Sequence, residues 1–254
     1  MKYIKSYFLL FLLVLFSVAC NDQNNQKITI ATSANMQFAM KALTTDFTTK
    51  SGIECELVIS SSGKLTAQIK EGAPYDIFVA ADMKYPNEIF NSGLSTFPPK
   101  IYAHGKLVLW SVVENITPSL KALQETSIKH IALANPKTAP YGIAAVEVLE
   151  KYHLLDSLKE KLVYGESISQ TNQFIISKSA EAGFTAMSVV LSDGLKNKGN
   201  WVALDGDLYT PLSQGVVLIK NKIENNVYAQ QFYDFLFSDE AKEILKKFGY
   251  SVDK

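Results

Sequence analysis

The chain has 254 residues, 47% hydrophobic and 20% charged, values of an ordinary globular protein that exclude disorder, collagen, coiled coil and a disulfide-stapled miniprotein. At roughly 100 to 200 residues per domain, that length holds one large α/β domain or two small lobes. Its 25 acidic residues balance 25 cations, so no summed basic field exists to draw in a nucleic acid, and none is expected as a partner. Every cation is a lysine, so no guanidinium fork is available and any anion site must be built from other groups.

Lys2 and Lys5 precede an apolar run over 8–16, and Ser17, Val18 and Ala19 lead into Cys20. Basic, apolar and small residues in that order form a secretory signal, residues 1–19. The run is too short to span a bilayer, which takes about 20 residues. Small residues directly before a cysteine resemble the lipobox of bacterial lipoproteins, with Cys20 as the lipidated first residue of the mature chain. Ser17 stands where leucine is most common in that motif, and a plain secretory signal with an incidental cysteine is the alternative. Residues 20–26, polar and aperiodic, read as a tether. Cleavage before Cys20 leaves 23 lysines against 25 acids. It also leaves Cys55 without a disulfide partner, in an apolar run that suits a small buried hydrophobe.

Beyond the tether, β-rich runs alternate with helical ones. Strands are predicted at 28–31, 54–59, 76–80, 106–111, 130–134, 161–164, 183–188, 201–204 and 215–220. Helices are predicted at 36–50, 64–71, 86–92, 143–152, 170–179, 189–196, 225–236 and 238–248. This alternation predicts an α/β fold with mostly parallel sheets and helices on both faces. Nine strands exceed one compact five-stranded sheet, so two lobes are expected.

Four strand-to-helix turns share one chemistry. The first holds Ser33, Ala34 and Asn35, with Asn35 placed to cap the helix that follows; the second holds Ser60, Ser61, Ser62 and Gly63. The third runs from Asn135 through Pro140, Tyr141 and Gly142, and the fourth from Gly165 through Ser167, Ile168 and Ser169. Each offers unpaired amides at a helix end that carries about +0.5 charge. Each alone is an ordinary cap. Four such ends converging at the carboxyl edge of open sheets sum to about +2 and suit a dianion.

Rival motifs fail on spacing. Ser62, Gly63 and Lys64 sit as in a P-loop, but Val58 and Leu65 occupy positions that need glycine and a hydroxyl residue. No nucleophile elbow is present, and His104, His130 and His153 lack metal-ligand spacing. Asp205 to Asp207 read as a turn rather than a calcium loop. Glu166 is the one acid beside the four turns, placed as a favourable charge at a helix N-terminus.

Taken together, ITIATSANMQFAMK at 28–41, SSSGKLTAQIKEGAPYDIFVAAD at 60–82, GKLVLWS at 105–111, IALANPKTAPYGIAAVEVLEKY at 131–152, YGESISQTNQF at 164–174 and AGFTAMS at 182–188 resemble the ModA family of bacterial molybdate ABC importers. The resemblance covers nearly the whole mature chain. It implies a type II periplasmic binding protein fold, two α/β lobes joined by crossing strands that close on a ligand. Lobe 1 would be 27–113 with 213–254, lobe 2 would be 118–208, and the crossing pair would be 106–111 and 215–220. It implies a monomeric substrate-binding lipoprotein, periplasmic or on the cell surface and held to the membrane by lipid. Such a protein captures molybdate or tungstate, hands it to ABC permease subunits, needs no cofactor and holds no metal by direct side-chain coordination.

Carried over motif by motif, the oxyanion ligands would be Asn35 with the Ala34 amide, the Ser62 hydroxyl and amide, the Tyr141 amide and the Ile168 amide. Ser33, Ser61 and Gly63 are additional candidate donors. One departure stands out: some members donate a tyrosine hydroxyl from a G-x-x-Y strand, where this chain has Gly183, Phe184, Thr185 and Ala186. Another tetrahedral oxyanion such as sulfate is the alternative cargo. An enzyme on the same fold is disfavoured because the turns carry no His, Asp or Cys to act as base or nucleophile. A purely structural surface lipoprotein would bind no ligand at all.

Overall fold

The computed structural model of the protein describes residues 27–95, 97–220 and 226–252. The expected signal (1–19) and the tether (20–26) with its lipidation residue Cys20 lie outside the described residues. No helix among the described residues is long and apolar enough to cross a membrane.

Strand β1 (Lys27–Ser33) sends Ile28 and Ile30 to one face and Ala31 to the other, the two-residue period of a strand, and both faces are covered by apolar clusters. It runs parallel to β2 (Glu54–Ser60), in register from Lys27 opposite Glu54 to Ser33 opposite Ser60, and parallel to β3 (Ile77–Val79) on its other side. β4 (Lys100–Gly105) and the late strand β10 (Leu212–Leu218) complete a sheet of order β2-β1-β3-β10-β4. The second sheet is built from β5 (Leu107–Ser111), β6 (Ile131–Ala134), β7 (Leu162–Gly165), β8 (Ala182–Ala186) and β9 (Asn200–Ala203), in the order β7-β6-β8-β5-β9.

Helices fill the connections. A single 3-10 turn (Ala34–Met36) leads into α1 (Gln37–Ser51), followed by α2 (Ser62–Lys70) and α3 (Lys84–Asn91). The second lobe carries α4 (Pro140–Lys151), α5 (Leu155–Leu158), α6 (Ile168–Ile176) and α7 (Met187–Val190). The chain then returns to pack α8 (Val227–Phe235) and α9 (Asp239–Lys247) on the first sheet, where Phe232 and Leu245 join Ile28, Ile30 and Leu43 in one core. Asn226 caps α8 by accepting from the Tyr228 and Ala229 amides at 3.1 and 3.2 Å, and Ser238 caps α9 through the Ala241 amide at 3.2 Å. The opposite face of the first sheet packs Leu65, Phe78 and Ile89, and the second lobe packs Trp110, Leu133 and Phe184.

Three expectations are corrected. First, the pairings in each sheet are half parallel and half antiparallel, where the alternation predicts mostly parallel sheets. β5 and β10 each start where the chain has just crossed from the other lobe, so they run away from the strand ends at which β8 and β3 stop, against their direction. Second, β5 pairs with β8 and β9 and so belongs to the second sheet, although the boundary at 113 places it in lobe 1. The chain changes sheets between Gly105 and Leu107 and between Ala203 and Leu212 rather than along 106–111 and 215–220. Third, β4 is a tenth strand. It follows Pro98 and Pro99, pairs with a strand on one side and only with Ser251 through His104 on the other, and exposes its first residues, so it lacks the apolar density that marks a buried strand.

Candidate functional site

The carboxyl ends of β1, β2, β6 and β7 face one another across the gap between the lobes, and the four sequence-predicted turns meet there. They line a small, partly open cavity. Ser33, Ala34, Asn35, Ser61, Ser62 and Ala81 line it from the first lobe, and Ala139, Pro140, Tyr141 and Ile168 line it from the second. All five expected ligand residues are thus brought together, along with Ser33 and Ser61. The lining contains no acidic or basic side chain.

Local structure explains which donors are available. Ala34 opens the 3-10 turn, Ser62 opens α2 and Ile168 opens α6, so their amides have no acceptor within the helix. Pro140 is the first residue of α4 and has no N–H, which makes Tyr141 the first amide of that helix. Gly142 follows because a Cβ there would strike the Ala134 carbonyl, so the helix start can lie directly on the end of β6. Ser62 is 1% exposed, and its Oγ accepts from the Ala81 amide at 3.0 Å, which leaves its own proton to donate. The Ser61 hydroxyl is buried with no protein partner, a donor costly to leave unpaired.

Two expected roles change. Asn35 is not a helix cap: it lies within the 3-10 turn, and its Oδ1 accepts from Ser33 Oγ at 2.7 Å. Gly63 does not line the cavity; its amide donates to the Thr138 carbonyl across the gap at 2.9 Å. Further bonds close the rim around it. Ser169 Oγ donates to Gln37 Oε1 at 2.8 Å, and Lys64 Nζ lies 2.6 Å from Glu166 Oε2, which holds that carboxyl below its usual range. Glu166 thus serves an interlobe ion pair, at the rim and not in the lining.

The chain matches the family described as bacterial extracellular solute-binding protein over residues 28–251. It is 38% identical over 237 residues to the molybdate-binding protein ModA of Azotobacter vinelandii, covering 92% of this chain and 93% of that relative. The chain belongs to the ModA family. Its identity to the ModA of Rhodobacter capsulatus is 37%, over 89% of each chain. The solved periplasmic molybdate-binding protein of Azotobacter vinelandii superposes with a TM-score of 0.85 at 32% identity, covering 89% of this chain and all of that one.

Behind the cavity, this ModA-family chain has a buried polar layer that motif reading missed. Asn35 Nδ2 donates to Gln214 Oε1 at 2.7 Å and to the Tyr250 hydroxyl at 3.0 Å, while Gln214 Nε2 donates to the Ala81 and Leu212 carbonyls at 3.1 and 3.0 Å. Gln214 had a legible signal, a carboxamide inside the apolar strand β10; Tyr250, near the chain end, had none. The position of the family's strand tyrosine, Ala186, is wholly buried at the end of β8, and Thr185 beside it hydrogen-bonds to Asn172 Oδ1. None of His104, His130 or His153 lines the cavity, and among the described residues no group of three or more His, Cys, Asp or Glu is placed to hold a metal ion. Cys55 is half-buried with its thiol pushed up to about 11 by burial, which makes it a poor nucleophile.

Proposed function

We propose that this protein captures molybdate or tungstate outside the cytoplasm and delivers it to an ABC permease. The observation that carries the reading is the charge-free cavity into which both lobes turn helix N-termini and serine hydroxyls. Four helix ends contribute about +0.5 each, enough to offset a dianion without a cationic side chain. The amides of Ala34, Asn35, Tyr141 and Ile168, the amide and hydroxyl of Ser62, and the Ser61 hydroxyl are the donors. With no carboxylate in the lining, a protonated oxyanion would bury an O–H without a strong acceptor, whereas a fully ionised one only accepts. Size then separates molybdate and tungstate from the smaller sulfate. The absence of a general base in the lining supports a carrier over an enzyme.

Closure of the lobes on the anion forms the rim bonds at Gly63, Ser169 and Lys64 and presents a composite surface to the permease. Lipid on Cys20 holds the protein, as a monomer, at the membrane. Calorimetric titration of the soluble domain with molybdate, tungstate, sulfate and phosphate tests the reading. Tight binding of the first two and negligible sulfate is expected, and sulfate preference or silence from all four refutes it. For the anchor, Cys20→Ser is expected to move the protein from the detergent phase to the aqueous phase in Triton X-114 partition; an unchanged distribution refutes lipidation.

A further inference from the structure

Asn35 lines the cavity and is bonded from both lobes. Its side chain has no donor left for a ligand, since both Nδ2 hydrogens go to Gln214 and Tyr250. Its carbonyl accepts from Ser188 Oγ of α7 at 2.7 Å, a bond that joins the second lobe to the first. The Tyr250 hydroxyl lies 3.1 Å from that same carbonyl and 3.1 Å from Ser188 Oγ. Gln214 reaches in the other direction, to the Ala81 carbonyl in the lining and the Leu212 carbonyl at the segment where the chain re-enters the first sheet.

We propose that the Asn35 carboxamide is not an anion ligand but the hub of a positioning network, in which Gln214 and Tyr250 hold the Ala34–Asn35 backbone toward the anion and Ser188 bonds to it only when the lobes are closed. The inference rests on the anion reading above. All four residues are nearly or fully buried, so their bonds form without competition from water. Burial pushes the Tyr250 hydroxyl up to about 12, so it stays protonated and able to donate throughout the neutral range. Tyr250, Gln214 and Ser188 are positioning residues: none lines the cavity, and each acts on it through Asn35, Gln214 also through Ala81. In the closed state the Ser188 bond adds to the free energy of binding, and in an open state it is absent. Its loss therefore acts on ligand release and leaves the ligand-free protein untouched.

The test is titration with sodium molybdate and stopped-flow release, with melting curves in the presence and absence of molybdate, for the wild type, Tyr250→Phe, Ser188→Ala and a control. Tyr102→Phe serves as that control, because Tyr102 is a buried tyrosine whose hydroxyl has no protein partner. Tyr250→Phe is expected to weaken binding about tenfold, and Ser188→Ala about three- to tenfold, carried by a faster off-rate. Ser188→Ala should melt with the wild type when ligand-free and show a smaller upshift with molybdate, while Tyr102→Phe keeps wild-type affinity. Wild-type affinity and release in both Tyr250→Phe and Ser188→Ala would overturn the inference alone. Equal melting losses with and without ligand in Ser188→Ala would do the same, since they mark a merely structural role. A wild type that ignores molybdate overturns the anion reading and this inference with it.

Discussion

Gly63→Ala should make the protein bind more weakly while leaving the ligand-free fold as stable or more so, because one effect arises within the first lobe and the other between the closed lobes. Gly63 is the second residue of α2, and replacing glycine by alanine in a helix favours it by up to about 1 kcal/mol. In the closed structure a Cβ at this position would lie 2.8 Å from the Tyr85 hydroxyl and 3.0 and 3.1 Å from the Thr138 Cα and carbonyl oxygen. The tyrosine tip can swing aside. The Thr138 backbone belongs to the opposite lobe and accepts the Gly63 amide at 2.9 Å, so the lobes must part by a few tenths of an ångström and stretch that bond. Overpacking of this kind costs about 1–3 kcal/mol. All of it falls on the closed state, which corresponds to roughly 5- to 150-fold weaker molybdate binding. Calorimetric titration paired with melting curves of the ligand-free protein reads both effects. Unchanged affinity would refute the reasoning, since it would mean that the bound state does not bring Gly63 against Thr138.

Ser62→Ala removes a hydroxyl from the cavity and orphans the Ala81 amide. A bond to a charged acceptor is worth about 1.5–3 kcal/mol, so molybdate affinity should fall roughly ten- to hundred-fold, and an unchanged titration would remove Ser62 from the site. Asp82, next to the lining residue Ala81, has its carboxyl pushed up to about 6 by burial, partly offset by the Tyr85 amide at 3.3 Å. A carboxyl raised above its unfolded value binds more protons when folded, so it costs stability increasingly as pH rises from about 4 through 6. After a discount for its partial exposure, Asp82→Asn should stabilise the protein by about 1–2 kcal/mol at pH 7 and by nothing at pH 4, as melting temperatures at the two pH values would show. Equal shifts at both would refute the burial argument.

Much of the site was legible in the chain because a helix N-terminus is a local object. Ser33, Ala34, Ser62 and Ile168 each stand within three residues of a strand end and Tyr141 within seven, and hydroxyls, Pro140 and Gly142 mark where the backbone turns. Such signals cover one turn of chain, so they locate donors without showing which are spent. Asn35 illustrates the limit: its side chain reads as a cap or ligand, yet partners 179 and 215 residues away consume its donors. Gly63 likewise reads as a donor, and only the approach of Thr138 reveals that its amide bridges the lobes.

By itself the sequence determined the α/β class, the two lobes and the four donor turns, because periodicity, capping and turn chemistry depend on neighbours in the chain. Tertiary structure alone decided where the chain changes sheets, that β4 exists at an edge, and that Gln214, Tyr250 and Ser188 meet behind the cavity. Those features depend on which backbone groups find distant partners, and burial sets that cost: a polar atom shut away from water must be paired by whatever residue the fold brings to it.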